Sequence, residues 1–277
     1  MSSTPRRNAA AAAAALLALL AALPAAAQRS DAEWLENCRE QGSRWGSERA
    51  RFCEVRTETL RPPRTLTVDG GENGGASVHG SDAAEVRVSA RIQAHAATEA
   101  EAREIARRVA IRTEGGTVRA DGPAQARGTG WSVVFDIRVP HRQDVSVTAR
   151  NGPVAVEDVS GRMTLRTENG PVSLRGVGGA VNARVRNGPI SVDLDGSRWS
   201  GEGLDAESVN GPVTLRIPEG YSAELEVGNT NGPARIDLPL SGGYRSGRPL
   251  RTTLGSGGAP VRVVTSNGPI VVTRTDR

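Results

Sequence analysis

The chain has 277 residues, with 35 basic side chains, all of them arginine, against 31 acidic ones, for a formal charge of +4. Losing Arg6 and Arg7 with the leader described below leaves 33 against 31, about +2, which is too even a balance to drive counterion release and excludes nucleic acid as a partner. Aromatics make up 3% of the chain while glycine contributes 33 residues, so a core must be built from small aliphatic side chains.

Residues 1–27 read as a secretory signal peptide. Arg6 and Arg7 precede an apolar run from Ala9 to Leu20, and the segment ends in Pro24-Ala25-Ala26-Ala27, so cleavage would expose Gln28. A membrane anchor is the alternative, but the run is short for a span of roughly 20 residues. Asn8 and Ala9 after the arginines lack the bulky apolar pair of a twin-arginine signal, which favours general secretion, and no cysteine lies at the cleavage site to carry a lipid. The mature chain is expected to be exported, periplasmic or cell-surface, with no transmembrane span.

Segment 28–65 carries both cysteines, Cys38 and Cys53. In an oxidising compartment they are expected to pair and to close a short helical segment between Trp34 and Phe52. Two buried free thiols are the alternative, and metal binding is weaker because no nearby histidine completes a ligand set.

From residue 66 the chain reads as one repeat domain, 66–277, with an α/β unit inserted at 82–140 and regular coils over 141–277. A faint turn at Asn73-Gly74-Gly75 is followed by Ala76 and Val78 in strand alternation. In the insert, Val86, Val88, Ala90 and Ile92 alternate as a strand, and Thr98-Glu99-Ala100-Glu101 forms a capping box for a helix with Ala102, Ile105, Ala106 and Val109 on its apolar face. Strands over 111–120 and 131–139 follow, the second with Trp131, Val133, Phe135, Ile137 and Val139 on one side. This unit is expected to cover one end of the repeat stack.

The strongest signal is Asn-Gly-Pro, found at Asn151-Gly152-Pro153, Asn169-Gly170-Pro171, Asn187-Gly188-Pro189, Asn210-Gly211-Pro212, Asn231-Gly232-Pro233 and Asn267-Gly268-Pro269. The spacings are 18, 18, 23, 21 and 36 residues, the last twice the first, as if one period held a degenerate coil or an excursion. Three and five positions after each asparagine stand Val154/Val156, Val172/Leu174, Ile190/Val192, Val213/Leu215, Ala234/Ile236 and Ile270/Val272. Six and four positions before it stand Val145/Val147, Met163/Leu165, Val181/Ala183, Leu204/Ala206, Leu225/Val227 and Val261/Val263. Two inward rows flanking one turn in every repeat predict a parallel β-solenoid, its coils stacked about 4.8 Å apart.

Asn-Gly is also a hairpin signal, which makes an antiparallel meander the competing fold. Proline decides against it, because the residue after Asn-Gly in a two-residue hairpin must donate its N–H and proline has none. An arc between coil faces suits all three residues, and stacked asparagine amides would form a ladder along the axis. Six positions after each asparagine, Glu157, Arg175, Asp193, Arg216 and Asp237 alternate in charge and then give way to Thr273, which supports the register. The repeat loosens over 238–258, read as a surface excursion before a final coil at 261–272. Trp199, Tyr221 and Tyr244 nearby are candidates for a sugar-stacking surface, with local packing as the plainer alternative.

Val139-Pro140 at the entry to the first clear coil, Thr167-Glu168-Asn169-Gly170-Pro171-Val172-Ser173-Leu174, its variants around Asn187 and Asn210, and Thr265-Ser266-Asn267-Gly268-Pro269-Ile270 carry a family likeness. Over 66–277 the chain resembles the bacterial "putative adhesin" family of stacked Gly-rich β repeats. That resemblance implies a β-helical domain in an exported or envelope protein of unassigned biochemical activity, and fold alone does not supply a function.

Mainly β structure with a small strand-helix-strand insert and a short N-terminal helix is therefore expected. The expected role is a non-catalytic, adhesin-like envelope scaffold, without cofactor or metal, that binds a surface protein or a glycan through a repeated β face. The alternative is a carbohydrate-active β-helix enzyme using Asp193 and Asp195, which share a strand face if the strand extends that far. His79, His95 and His141 are scattered, and no nucleophile elbow or zinc-binding helix motif accompanies the acids.

Overall fold

The structure is a computed structural model that describes residues 30–44, 49–238, 244 and 246–275. The signal-peptide reading at 1–27 lies outside the described residues, as does part of the excursion. The fold is mainly β: two ten-stranded sheets face each other, built largely from parallel strands. Among the described residues no helix is long and apolar enough to cross a membrane.

Each coil contributes one strand to each sheet, in six of them on either side of an Asn-Gly-Pro turn. The strands Asp144–Asn151, Ser160–Asn169 and Gly178–Asn187 lie parallel and in register in one sheet, with Val145, Met163 and Val181 as direct partners. Their continuations Val154–Glu157, Val172–Arg175 and Ile190–Asp193 do the same in the other sheet. Both inward rows are buried along these coils, and side chains such as Leu165, Leu174 and Ile190 fill the space between the sheets. At roughly 25 cal/mol per Å² of apolar area buried, these rows supply most of the stabilisation that a chain so poor in aromatics can obtain.

The order of the coils departs from the sequence at both ends. Strands Pro260–Asn267 and Ile270–Thr275 insert between the coil at 203–218 and the coil at 223–236, pairing with both. At the other end, Thr65–Asp69 and Gly75–Ser81 lie between the coil at 144–157 and a further coil made by Thr117–Asp121 and Gly130–Pro140. Numbered along the chain, the eight coils stack in the order 2-1-3-4-5-6-8-7.

Two expectations change accordingly. The 238–258 stretch is more than an excursion, because Leu250–Leu254 pairs antiparallel with Ala223–Asn231 and caps one sheet. The coil at 261–272 is interior, and the outermost coil exposes Ala234 and leaves Ile236 half-buried instead of burying both.

The insert merges with both sheets. Val86–Ala96 lies antiparallel between Ala50–Leu60 and Gly130–Pro140, while Ala110–Arg112 closes the other sheet. The helix Glu99–Arg107 starts at the reciprocal capping box of Thr98 and Glu101 and buries Ala102 and Ala106. The helix Asp31–Arg44 is tied by Cys38 to Cys53 of the edge strand, with Cα atoms 6.4 Å apart.

Candidate functional site: the turn ladder and the outer sheet faces

The Asn-Gly-Pro turns form a continuous column. Asn169 donates its side-chain amide to the Asn151 oxygen at 2.8 Å, and Asn187→Asn169, Asn210→Asn187, Asn267→Asn210 and Asn231→Asn267 repeat the bond at 2.9 Å. Asn151 in turn donates to Asn73, so the faint first copy of the turn carries the ladder's first rung. Glycine is required beside it, since a Cβ on Gly170 would stand 2.1 Å from the Gly152 oxygen. Proline suits the next position, where only a carbonyl is used: Pro189 accepts from the Val172 N–H at 2.9 Å.

Beneath the turns lies a set of buried polar groups. The hydroxyls of Thr167, Ser208 and Thr265 donate to the oxygens of Gly152, Gly188 and Gly211 at 2.9–3.2 Å. These residues stand two positions before their asparagines, in an otherwise apolar inward row. That break in the pattern was the available signal, and sequence reasoning passed over it.

The outer face of the sheet containing Asp193 is a ladder of charged side chains with one histidine among them. In spatial order it runs Asp31, Arg91, Asp136, His79, Glu157, Arg175, Asp193, Arg216, with neighbours 2.6–3.9 Å apart. The ladder continues past the repeats into the insert and the N-terminal helix. It stops after Arg216 because Thr273 of the inserted coil, and not Asp237, is the next partner.

Asp193 is held between Arg175 at 3.6 Å and Arg216 at 2.6 Å. Asp195 lies beyond the end of strand Ile190–Asp193, is exposed, and accepts the Gly196 N–H. The two carboxylates therefore do not share a strand face.

The aromatic candidates are packing residues. Trp199 and Tyr221 are 5% and 4% exposed, Trp199 donates to the Gly179 oxygen, and the Tyr244 hydroxyl bonds Asn229. Burial, with the Asp195 charge second, pushes the Tyr221 phenol up to about 12. The histidines do not meet: His79 joins the ladder, His141 stands beside Asp82, and burial together with Arg49 and Arg51 lowers the pKa of His95.

The outer face of the second sheet is organised differently. Asp205 bonds Arg184 and Arg262, Arg262 also meets Glu207 and Glu226, and Arg251 completes the set at Glu226. Burial on its own would raise the Asp205 carboxyl, but hydrogen bonds from Arg184 and Arg262 outweigh it and hold the group below the usual carboxylate range. One coil away, Arg166 stands directly opposite Arg184, a like-charge pair.

A family model matches residues 107–273, more than half of the chain, and it describes the Toastrack DUF4097 domain. This chain belongs to the Toastrack DUF4097 family. No curated protein matches it. Among solved structures, the Toastrack chain is similar to a "putative cell adhesion protein" from Clostridium sporogenes ATCC 15579, at 7% identity and a TM-score of 0.47 over 81% of this chain and 100% of that one. It is also similar to "putative adhesins" from Bacteroides fragilis NCTC 9343, at 10% identity and a TM-score of 0.29 over 80% and 97% of the two chains, and from Parabacteroides distasonis ATCC 8503, at 7% and 0.31 over 80% and 97%. At these scores the likeness carries no functional weight.

Proposed function

We propose that this Toastrack chain is an exported, non-catalytic scaffold of the cell envelope that binds a surface protein or glycan through a face of its stacked sheets. The observation that carries the reading is the engagement of Asp193 by two guanidiniums, while Asp195 lies beyond the end of that strand and accepts the Gly196 N–H. A glycosidase needs two carboxylates facing one bond, one of them free to act on a proton or an anomeric carbon. The Cys38–Cys53 disulfide supports an oxidising compartment, and the leader read at 1–27 supports export.

The test compares the exported protein with Asp193→Asn and Asp195→Asn on a broad glycan array, in pull-downs from envelope fractions, and in product analysis of the glycans. Retained binding without products is expected for all three proteins. Turnover abolished by either substitution would establish the carbohydrate-active enzyme instead. Mass spectrometry of the exported protein should find Gln28 at its N-terminus.

A further inference from the structure

The two outer faces differ in how their charges are placed. On the Asp193 face, opposite charges follow one another from coil to coil. On the other face, Arg166 and Arg184 are direct cross-strand partners, an arrangement that costs stability, and Arg186 follows two residues further along the same strand and face. Two acids lie beside them, each already paired: Glu168 with Arg150 at 3.4 Å, and Glu207 with Arg262 at 3.4 Å and with Arg184 at 3.9 Å. Arg184 itself bonds Asp205, but among the described residues Arg166 and Arg186 form neither an ion pair nor a side-chain hydrogen bond.

These arginines border a groove of about 420 Å³ whose apolar wall includes Val209. Val209, 41% exposed, is the one large hydrophobic side chain left exposed among the described residues. A repeat protein that alternates charges on one face and leaves two guanidiniums, Arg166 and Arg186, unpaired beside a groove on the other breaks its own local rule where a ligand would compensate for it.

We infer that this groove binds the anionic groups of an acidic polysaccharide. A carboxylate or sulfate between Arg166 and Arg186 would accept hydrogen bonds from their planar guanidiniums on strands about 4.8 Å apart, while Arg184 between them stays bonded to Asp205. The apolar wall would lie against the sugar ring that bears it. Charge complementarity selects the occupant: the groove offers two unpaired guanidiniums, Arg166 and Arg186, beside an exposed valine, its acids Glu168 and Glu207 are already paired with arginines, and no exposed aromatic platform for neutral sugars lines it. The inference rests on the scaffold reading above and names its ligand class.

The experiment uses protein purified after export of the full-length chain and measures binding to polygalacturonate, dextran sulfate, neutral dextran and phosphatidylglycerol vesicles at several salt concentrations. Polygalacturonate or dextran sulfate should bind, more weakly as salt rises, and neutral dextran should not. The double variant R166Q/R186Q should lose at least tenfold in affinity, while Arg175→Gln on the opposite face should not weaken binding. The melting temperature of R166Q/R186Q should equal or exceed that of the parent, because only a like-charge contact is removed. Undiminished binding by the double variant, vesicle binding without polysaccharide binding, or a lowered melting temperature would each overturn the inference. Capture of a neutral glycan or an envelope protein that survives R166Q/R186Q would overturn this groove and leave the scaffold function standing, whereas absence of every binding partner would remove both.

Discussion

Between residues 144 and 193, three coils follow one another in space as they do in sequence, whereas at each end of the stack two coils change places. The central coils are joined by short connections, and their partners lie 18 residues away. At the ends the chain passes over a gap and fills it later, so partners such as Leu204 and Val261 lie 57 residues apart and must be brought together through a long closure. In an ordered solenoid the terminal repeats have one neighbour each and fray first. Here the first and last coils of the chain are clasped on both sides, and the coils left outermost in space continue into the chain in both directions and are flanked by antiparallel strands, in both sheets at one end and in one sheet at the other.

Truncation after Gly258 breaks that arrangement most severely. In a solenoid stacked in sequence order it would remove one end coil, but here it empties an interior slot and exposes rows on both sides. Val261, Val263, Ile270 and Val272 are fully buried, so at about 1.5–3 kcal/mol each the loss is roughly 6 kcal/mol or more. Hydrogen exchange should show protection lost at both Gly203–Asn210 and Ala223–Asn231. Unchanged protection of the 203–210 strand would mean that the inserted coil is not a structural member of the stack.

The second contrast needs only point substitutions. Val172 is 1% exposed in a central coil, and Val172→Asp places an unpaired carboxylate between the sheets, with an expected cost of about 4 kcal/mol. Ala234 holds the equivalent repeat position in the outermost coil and is exposed, so Ala234→Asp should change stability by less than about 0.5 kcal/mol. Denaturant midpoints of the two variants measure the contrast, and equal losses would erase it.

The same contrast explains what could be read from residues alone. Inward rows, proline-led turns and the asparagine ladder follow from positions within one repeat, because each is a local rule about which side chain points where. Stacking order is not local. Leu204 can pair with Leu225 or with Val261, since all three present the same apolar face; loop lengths and the cap Leu250–Leu254 decide it, and these leave little periodic trace. The charge column shows the consequence, with Arg216 meeting Thr273 although Asp237 comes next in the chain. Of the candidate sites, the acids at 193 and 195 were visible as residue types, but their separation depended on a strand ending at Asp193. The Arg166–Arg184 juxtaposition needed the register between neighbouring coils.

A third test compares the two capped ends. The Cys38–Cys53 bridge closes a separation of 15 residues and ties the N-terminal helix to the edge strand Ala50–Leu60, while no disulfide guards the other end. Replacing both cysteines by serine should cost about 3 kcal/mol, the loop-closure value for a loop of that size. Because only the helix and the edge strand are tethered, hydrogen exchange should rise first over 31–60, with Ser160–Asn169 and Gly178–Asn187 keeping their protection. Loss of protection spread evenly along the stack would show that the bridge supports all the coils and not one end.

The smallest effect concerns the opposite end, where Tyr221 opens the outermost coil. Its phenol, buried and near the Asp195 charge, has its pKa pushed up to about 12 from an ordinary value near 10. The folded state therefore keeps the proton over a range in which the unfolded chain releases it. Stability from this source is fully present below pH 10 and declines as pH rises toward 12, by up to about 2 kcal/mol. Tyr221→Phe removes the titrating group but keeps the ring, so melting temperatures measured from pH 8 to 11.5 should fall less steeply for the variant. The early loss should appear as exchange in Ala223–Asn231 before the central strands respond, since ionisation attacks the end of the stack held by the cap and not the coils in sequence order. Parallel pH profiles for the two proteins would show that alkaline unfolding starts elsewhere.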